Sequence, residues 1–130
     1  QTMSLFIDYM SAVYAALDDV PSMAGKVLQV LTGDVYPKLW LEDSGGVDWS
    51  TKTEDGVEVD VALHIGSRYA GEKETRDFFN DAHTALHNVT LNITPTQTVL
   101  CQYTRHEIIL DSDAVTRHGI IRFRLLISEV

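Results

Sequence analysis

The residue types best suited to chemistry in this chain are its histidines, its single cysteine and its adjacent acids. His83 and His87 stand four apart, the helical spacing at which two imidazoles can share a metal. A zinc-peptidase helix would carry glutamate at position 84; Thr84 stands there, and the sequence offers no third ligand. The pair is therefore expected to be two solvent-facing histidines near a helix C-terminus, where the dipole favours them. His64 falls on the polar side of an alternating run, while His106 and His118 fall near turns, and none is joined by motif to a serine or cysteine nucleophile. Cys101, between Leu100 and Gln102, is expected to be a small buried hydrophobe in a strand. A lone cysteine leaves no intrachain disulfide and suits a reducing compartment. Asp18-Asp19 and Glu54-Asp55 could support acid and base work, but adjacent acids at turns cap and solvate. No glycine cluster follows a strand and opens a helix at phosphate-loop or dinucleotide spacing. Metal, nucleotide and other cofactors are not expected.

These residues must be positioned by a fold, and the clearest element is Val57 to Ile65. Val57, Val59, Val61, Leu63 and Ile65 alternate with smaller or polar residues, the period of a strand with one buried face. Gly66 ends the run, Ser67 to Gly71 connects, and Glu72, Glu74 and Asp77 open a helix that runs to about His87. Its buried side is expected to carry Phe79, Ala82 and Leu86, with Phe78 and Ala85 on the flank.

Upstream, Ser4 is expected to cap a helix whose Leu5, Phe6, Met10, Val13, Tyr14 and Leu17 share one face. Asp18-Asp19 and Pro21 end it, and this start lacks the charged and continuously apolar segments of a secretory signal. Val35 to Leu41 reads as extended, with Pro37 at a strand start or edge. Glu42 to Gly56 reads as a long acidic loop around Gly45-Gly46 and Trp49. Asn88-Val89-Thr90 and Asn92-Ile93-Thr94 match the glycosylation sequon and are read as turn chemistry after a helix. Gln97 to Thr104 and Gly119 to Ile127 are further strands, with Asp111-Ser112-Asp113 as a turn between them. In the last strand Arg122 and Arg124 oppose the apolar face and are expected to bridge to acids such as Glu58 and Asp60. The order predicts an α+β domain spanning residues 1–130, an antiparallel β-sheet with two main α-helices packed on one face.

A chain of 130 residues can bury about two-thirds of its unfolded surface and folds without staples. Its apolar fraction of 45% and charged fraction of 22% are those of a soluble globular domain, and no run is long enough for a membrane span. Nineteen acids against ten bases give a net charge of −9, which argues against gripping nucleic acid by its phosphates.

Three segments, Asp48 to Gly56, His64 to Glu74 and His118 to Arg124, together and in order resemble the tail-completion or tail-terminator family of long-tailed bacteriophages and gene transfer agents. The likeness runs from about Ser4 to Ile127. It implies a non-catalytic virion subunit, assembled in the bacterial host cytoplasm, that forms a homohexameric ring on the head-proximal end of the tail tube. That ring would end tube growth and join the tail tube protein to the head connector or stopper protein, with DNA passing through the lumen. The other function class is a neck adaptor or soluble protein-binding module using the same sheet edges.

For such a ring, Asp48, Trp49, Lys52, Glu54, Asp55, Arg68, Tyr69, Arg122 and Arg124 are candidates for subunit contacts, and Asp43, Glu58 and Asp60 for an acidic lumen. An acidic wall repels phosphate, and a ring resolves exposed sheet edges. Interfaces are enriched in tryptophan. Replacing Trp49 with alanine is expected to weaken ring assembly, measured by native mass spectrometry, more than it lowers the melting temperature; equal loss of both would place Trp49 in the fold instead.

Overall fold

The computed structural model describes residues 9–23, 27–28, 36–48, 55–94 and 97–129. In chain order the elements are α1 (Tyr9–Asp18), β1 (Val27–Leu28), β2 (Lys38–Asp48), β3 (Asp55–Ser67), α2 (Lys73–Leu86), β4 (Val89–Thr94), β5 (Gln97–Leu110) and β6 (Arg117–Glu129). They form a six-stranded sheet in the order β1-β2-β3-β6-β5-β4. All pairings are antiparallel except the two-residue β1, which adds in parallel beside Leu39 and Trp40. Both helices cover the same face, so the predicted α+β architecture is the one observed.

The centre is the pairing of β3 with β6, unbroken from Asp55 opposite Glu129 to Ser67 opposite Arg117. Because side chains alternate, Val57, Val59, Val61, Leu63 and Ile65 face the helices together with Ile121, Phe123, Leu125 and Ile127. The apolar run does not stop at Gly66; the strand continues to Ser67, which is fully buried. Ser67 Oγ then donates to Glu74 Oε1 at 2.7 Å and accepts the Tyr69 N–H at 3.2 Å, fixing the connector to α2.

Phe78, Phe79, Ala82 and Leu86 of α2 are buried at the expected helical spacing, with Thr75 beside them. In α1 the buried residues are Tyr9, Val13 and Leu17, one every four, with Met10 and Tyr14 packed on the flank. Ser4, Leu5 and Phe6 lie outside the described residues. Ser22 Oγ donates to Asp81 Oδ2 at 2.5 Å, tying the segment after α1 to α2.

Three further expectations need correction. The acidic stretch after Leu41 is not loop as far as Asp48, because β2 continues through it and its register to β3 shifts between Asp43 and Gly46. The bulge uses both glycines: Gly45 has φ +94°, and a Cβ on Gly46 would lie 2.3 Å from the Glu58 carbonyl oxygen. Val89 to Thr94 is not turn but β4; the turn is confined to His87 and Asn88, the latter at φ 57°. Finally, β5 does not end at Thr104 but runs to Leu110, with a register shift between Tyr103 and Arg105. Val99, Cys101 and Tyr103 pair with core residues before the shift and His106 and Ile108 after it, so the inward phase changes from odd to even numbers. Pro37 does immediately precede a strand, and the turn at Asp111 to Asp113 is present.

Gly119 lies on the helix-facing side of β6, where an added Cβ would meet Thr75 Cγ2 at 2.3 Å and Phe79 Cζ at 2.9 Å. Gly119→Ala should therefore push α2 off the sheet and destabilise the domain by on the order of 1–3 kcal/mol, the usual cost of overpacking. A urea-unfolding midpoint unchanged from that of the parent protein would refute this close approach.

Candidate functional site on the helix-free face

Among the described residues the sheet's other face carries no helix, and the register puts most of the polar chemistry there. Trp40 pairs with His64, Gly66 with His118, Asp60 with Arg124 and Ala62 with Arg122, so these share one surface. Two clusters form on it.

The first joins three strands. The rings of Trp40 and His64 stack with centroids 5.0 Å apart and 7° between planes, and His118 lies 5.4 Å from Trp40. His64 Nδ1 is 2.8 Å from His118 Nε2, and His64 Nε2 is 3.0 Å from Glu42 Oε1. An ionised carboxylate only accepts, so with neutral rings His64 donates from Nε2 to Glu42 and accepts the His118 Nε2–H at Nδ1. His64 is buried despite its place on the polar side of β3. Burial holds the His118 pKa below its ordinary value of 6.5, helped by the neighbouring His64 and opposed by Asp111, Glu107 and Glu42.

The second cluster is built from arginines. Arg124 Nη1 lies 3.4 Å from Glu58 Oε1, and its Nη2 donates to Gln102 Oε1 at 2.7 Å. Arg122 lies 4.0 Å from Glu107, which also faces Arg105 at 3.5 Å. The expected bridging of both arginines to acids is thus made within the subunit. Glu58 is the partner of Arg124, while Asp60, opposite it in register, stays exposed.

The remaining candidates are scattered. Asp43 pairs with core-facing Val61 and accepts a hydrogen bond from the Tyr9 hydroxyl, so it is not on the face that holds Glu58 and Asp60. Burial and that bond to Asp43 push the Tyr9 pKa to about 12. Arg68 and Tyr69 lie in the connector before α2, beside the β5–β6 hairpin. Asp48 and Asp55 end β2 and begin β3, and Trp49, Lys52 and Glu54 lie outside the described residues.

On the helix side, His83, His106, Tyr103 and Arg76 border an open cavity of about 390 Å³. His83 and His87 stack at 4.5 Å and 22°, so their nitrogens run side by side instead of converging, and His87 Nδ1 accepts the Tyr103 N–H at 3.1 Å. His83 is exposed as expected, whereas His87 is half-buried. Among the described residues no three metal-ligating side chains gather. Cys101 is buried, and desolvation pushes its pKa to about 12, so the thiol stays protonated and packs as a hydrophobe.

The Glu42–His64–His118 chain went unread in the sequence because its members are 22 and 54 residues apart; only the polar alternation at His64 pointed to it. It makes stability depend on pH. Between the lowered folded value of His118 and 6.5 the unfolded chain binds the proton and the folded chain does not, so stability should fall as pH drops through that window. Melting temperatures measured across it should decline toward acid, and His118→Gln should flatten the decline; an unaltered slope would exclude His118 as the group responsible.

Residues 11–128 match the family described as tail completion protein gp17. A search of curated proteins finds no match. In fold the chain is similar to a chain of the virion of a native gene transfer agent particle, with a TM-score of 0.84 over 98% of this chain and 99% of that one, at 16% identity. With the match covering nearly its whole length, the chain belongs to the tail completion protein family, the structural proteins of phage and phage-like tails.

Proposed function

We propose that this protein assembles as a hexameric ring at the head-proximal end of the tail tube, stops tube growth and joins the tail to the head connector. The observation that carries the reading is the family match across residues 11–128. The physics of the sheet favours assembly. β1 covers β2 only at Leu39 and Trp40, so the edge of β2 beyond them lacks a strand partner among the described residues, and β4 ends the sheet on the other side. Closed cyclic assembly is one way to protect such edges. The tail tube protein and the head connector or stopper protein are the axial partners, and DNA passes through the opening. A net charge of −9 per subunit keeps phosphate from adhering to the wall, a role that Asp43, Glu58 and Asp60 can share only where they remain unpaired. No catalytic step belongs to this role.

Electron microscopy of particles made without this gene tests the reading. Full heads separated from tails of uncontrolled length are expected. Normal, joined tails would discard the terminator role in favour of an adaptor elsewhere in the neck.

A further inference from the structure

The bond between the two imidazoles on the open face has a limited proton capacity. His64 comes from β3 and His118 from β6, and Trp40 of β2 stacks on both rings, so three strands meet in one cluster. Two neutral rings carry two protons on four nitrogens. His64 Nε2–H then donates to Glu42 over 3.0 Å and His118 Nε2–H donates to His64 Nδ1 over 2.8 Å.

A third proton fits without breaking this chain. His64, protonated at both nitrogens, donates from Nε2 to Glu42 and from Nδ1 to His118 Nε2, while the proton of His118 sits on its Nδ1. The bond between the rings survives with its direction reversed, and the buried imidazolium rests against a carboxylate. A fourth proton does not fit. All four nitrogens then donate, and two N–H groups of two like-charged rings face each other across 2.8 Å.

The surroundings decide which ring leaves. His64 is buried and held on its far side by Glu42, whereas His118 is half-buried. From β2, Glu42 and Lys38 stand near His118; from β5, Glu107; from the β5–β6 turn, Asp111; and Arg68 lies over the neighbouring Tyr36 ring. Glu42 is engaged by His64, and Glu107 faces Arg105 and Arg122, so exposed Asp111 is the carboxylate open to a charged His118. There is room for the movement. Gly66, opposite His118 in register, places no side chain beside it, and His118 borders a cavity of about 190 Å³ that Asp111 also lines.

We propose that Trp40, His64 and His118 form a proton-operated latch between β2 and β6, closed while the two rings hold three protons or fewer and opened by a fourth, which releases His118 toward Asp111 and bares Trp40. Burial of His118 and the charge of His64 both act against that last proton. The latch belongs to the single subunit and does not depend on the ring.

Its test is an acid titration of the purified full-length protein with nitrogen-15 histidine, followed by NMR of the ring nitrogens. His64 and His118 are expected to take up protons in two steps at least about one pH unit apart. Spin coupling across the Nδ1–Nε2 bond should persist through the first step and vanish in the second. Independent uptake by the two rings in one step overturns the latch. In Trp49→Phe, where Trp40 is the one tryptophan left, emission should change with the second step alone while far-UV circular dichroism holds constant. Emission that follows the first step overturns the latch, and so does circular dichroism lost with the second, because the opening would then be global unfolding. Glu42→Gln should move the first step to lower pH, since an amide supports the buried imidazolium less than a carboxylate does; an unmoved first step overturns the proposed order of protons. Should a variant fail to accumulate, the nitrogen titration of the parent protein decides alone.

Discussion

The unbroken β3–β6 pairing is the constraint on which the rest of this molecule depends. Thirteen residues on each strand are matched without a bulge, from Asp55 and Glu129 to Ser67 and Arg117. Side chains alternate with a period of two, so a slip of one residue would exchange the two faces of the central strands. Gly119 would leave its place under Thr75 and Phe79, His118 would leave His64, and Arg124 would leave Glu58. The irregularities lie outside this pair, in β2 at Asp43/Gly46, in β5 at Tyr103/Arg105 and in β4 at Asn92/Thr94. The centre thus keeps one register while its neighbours absorb the twist and curvature.

That register sorts the chemistry into a dry face and a wet one. Beneath the helices lie aliphatic and aromatic side chains with few polar atoms; on the open face lie an imidazole–carboxylate chain and an arginine cluster. Individual exposed ion pairs contribute about 0–1 kcal/mol each, so Arg122 and Arg124 do not hold the domain together. Their effect is to fix where charge sits. Glu58 and Glu107 are answered within the subunit, Arg68 lies over the Tyr36 ring and in the field of Asp113, and Asp60 stays exposed.

Much of this was legible in the sequence where period and phase were constant. The clean alternation of β3 and β6 and the spacing of Phe79, Ala82 and Leu86 placed the core and the two-layer architecture. Legibility failed where a bulge reset the phase. The second half of β2 looked like acidic loop because its pairing resumes only after Gly45-Gly46, and β5 seemed to end at Thr104 because its inward residues then change parity. β4 was hidden by two sequons and its brevity. The site was legible residue by residue but not as a constellation. Arg124 and Glu58 could be paired from face alone, since both oppose apolar runs; Trp40, His64 and His118 could not, because only the order of strands brings them together.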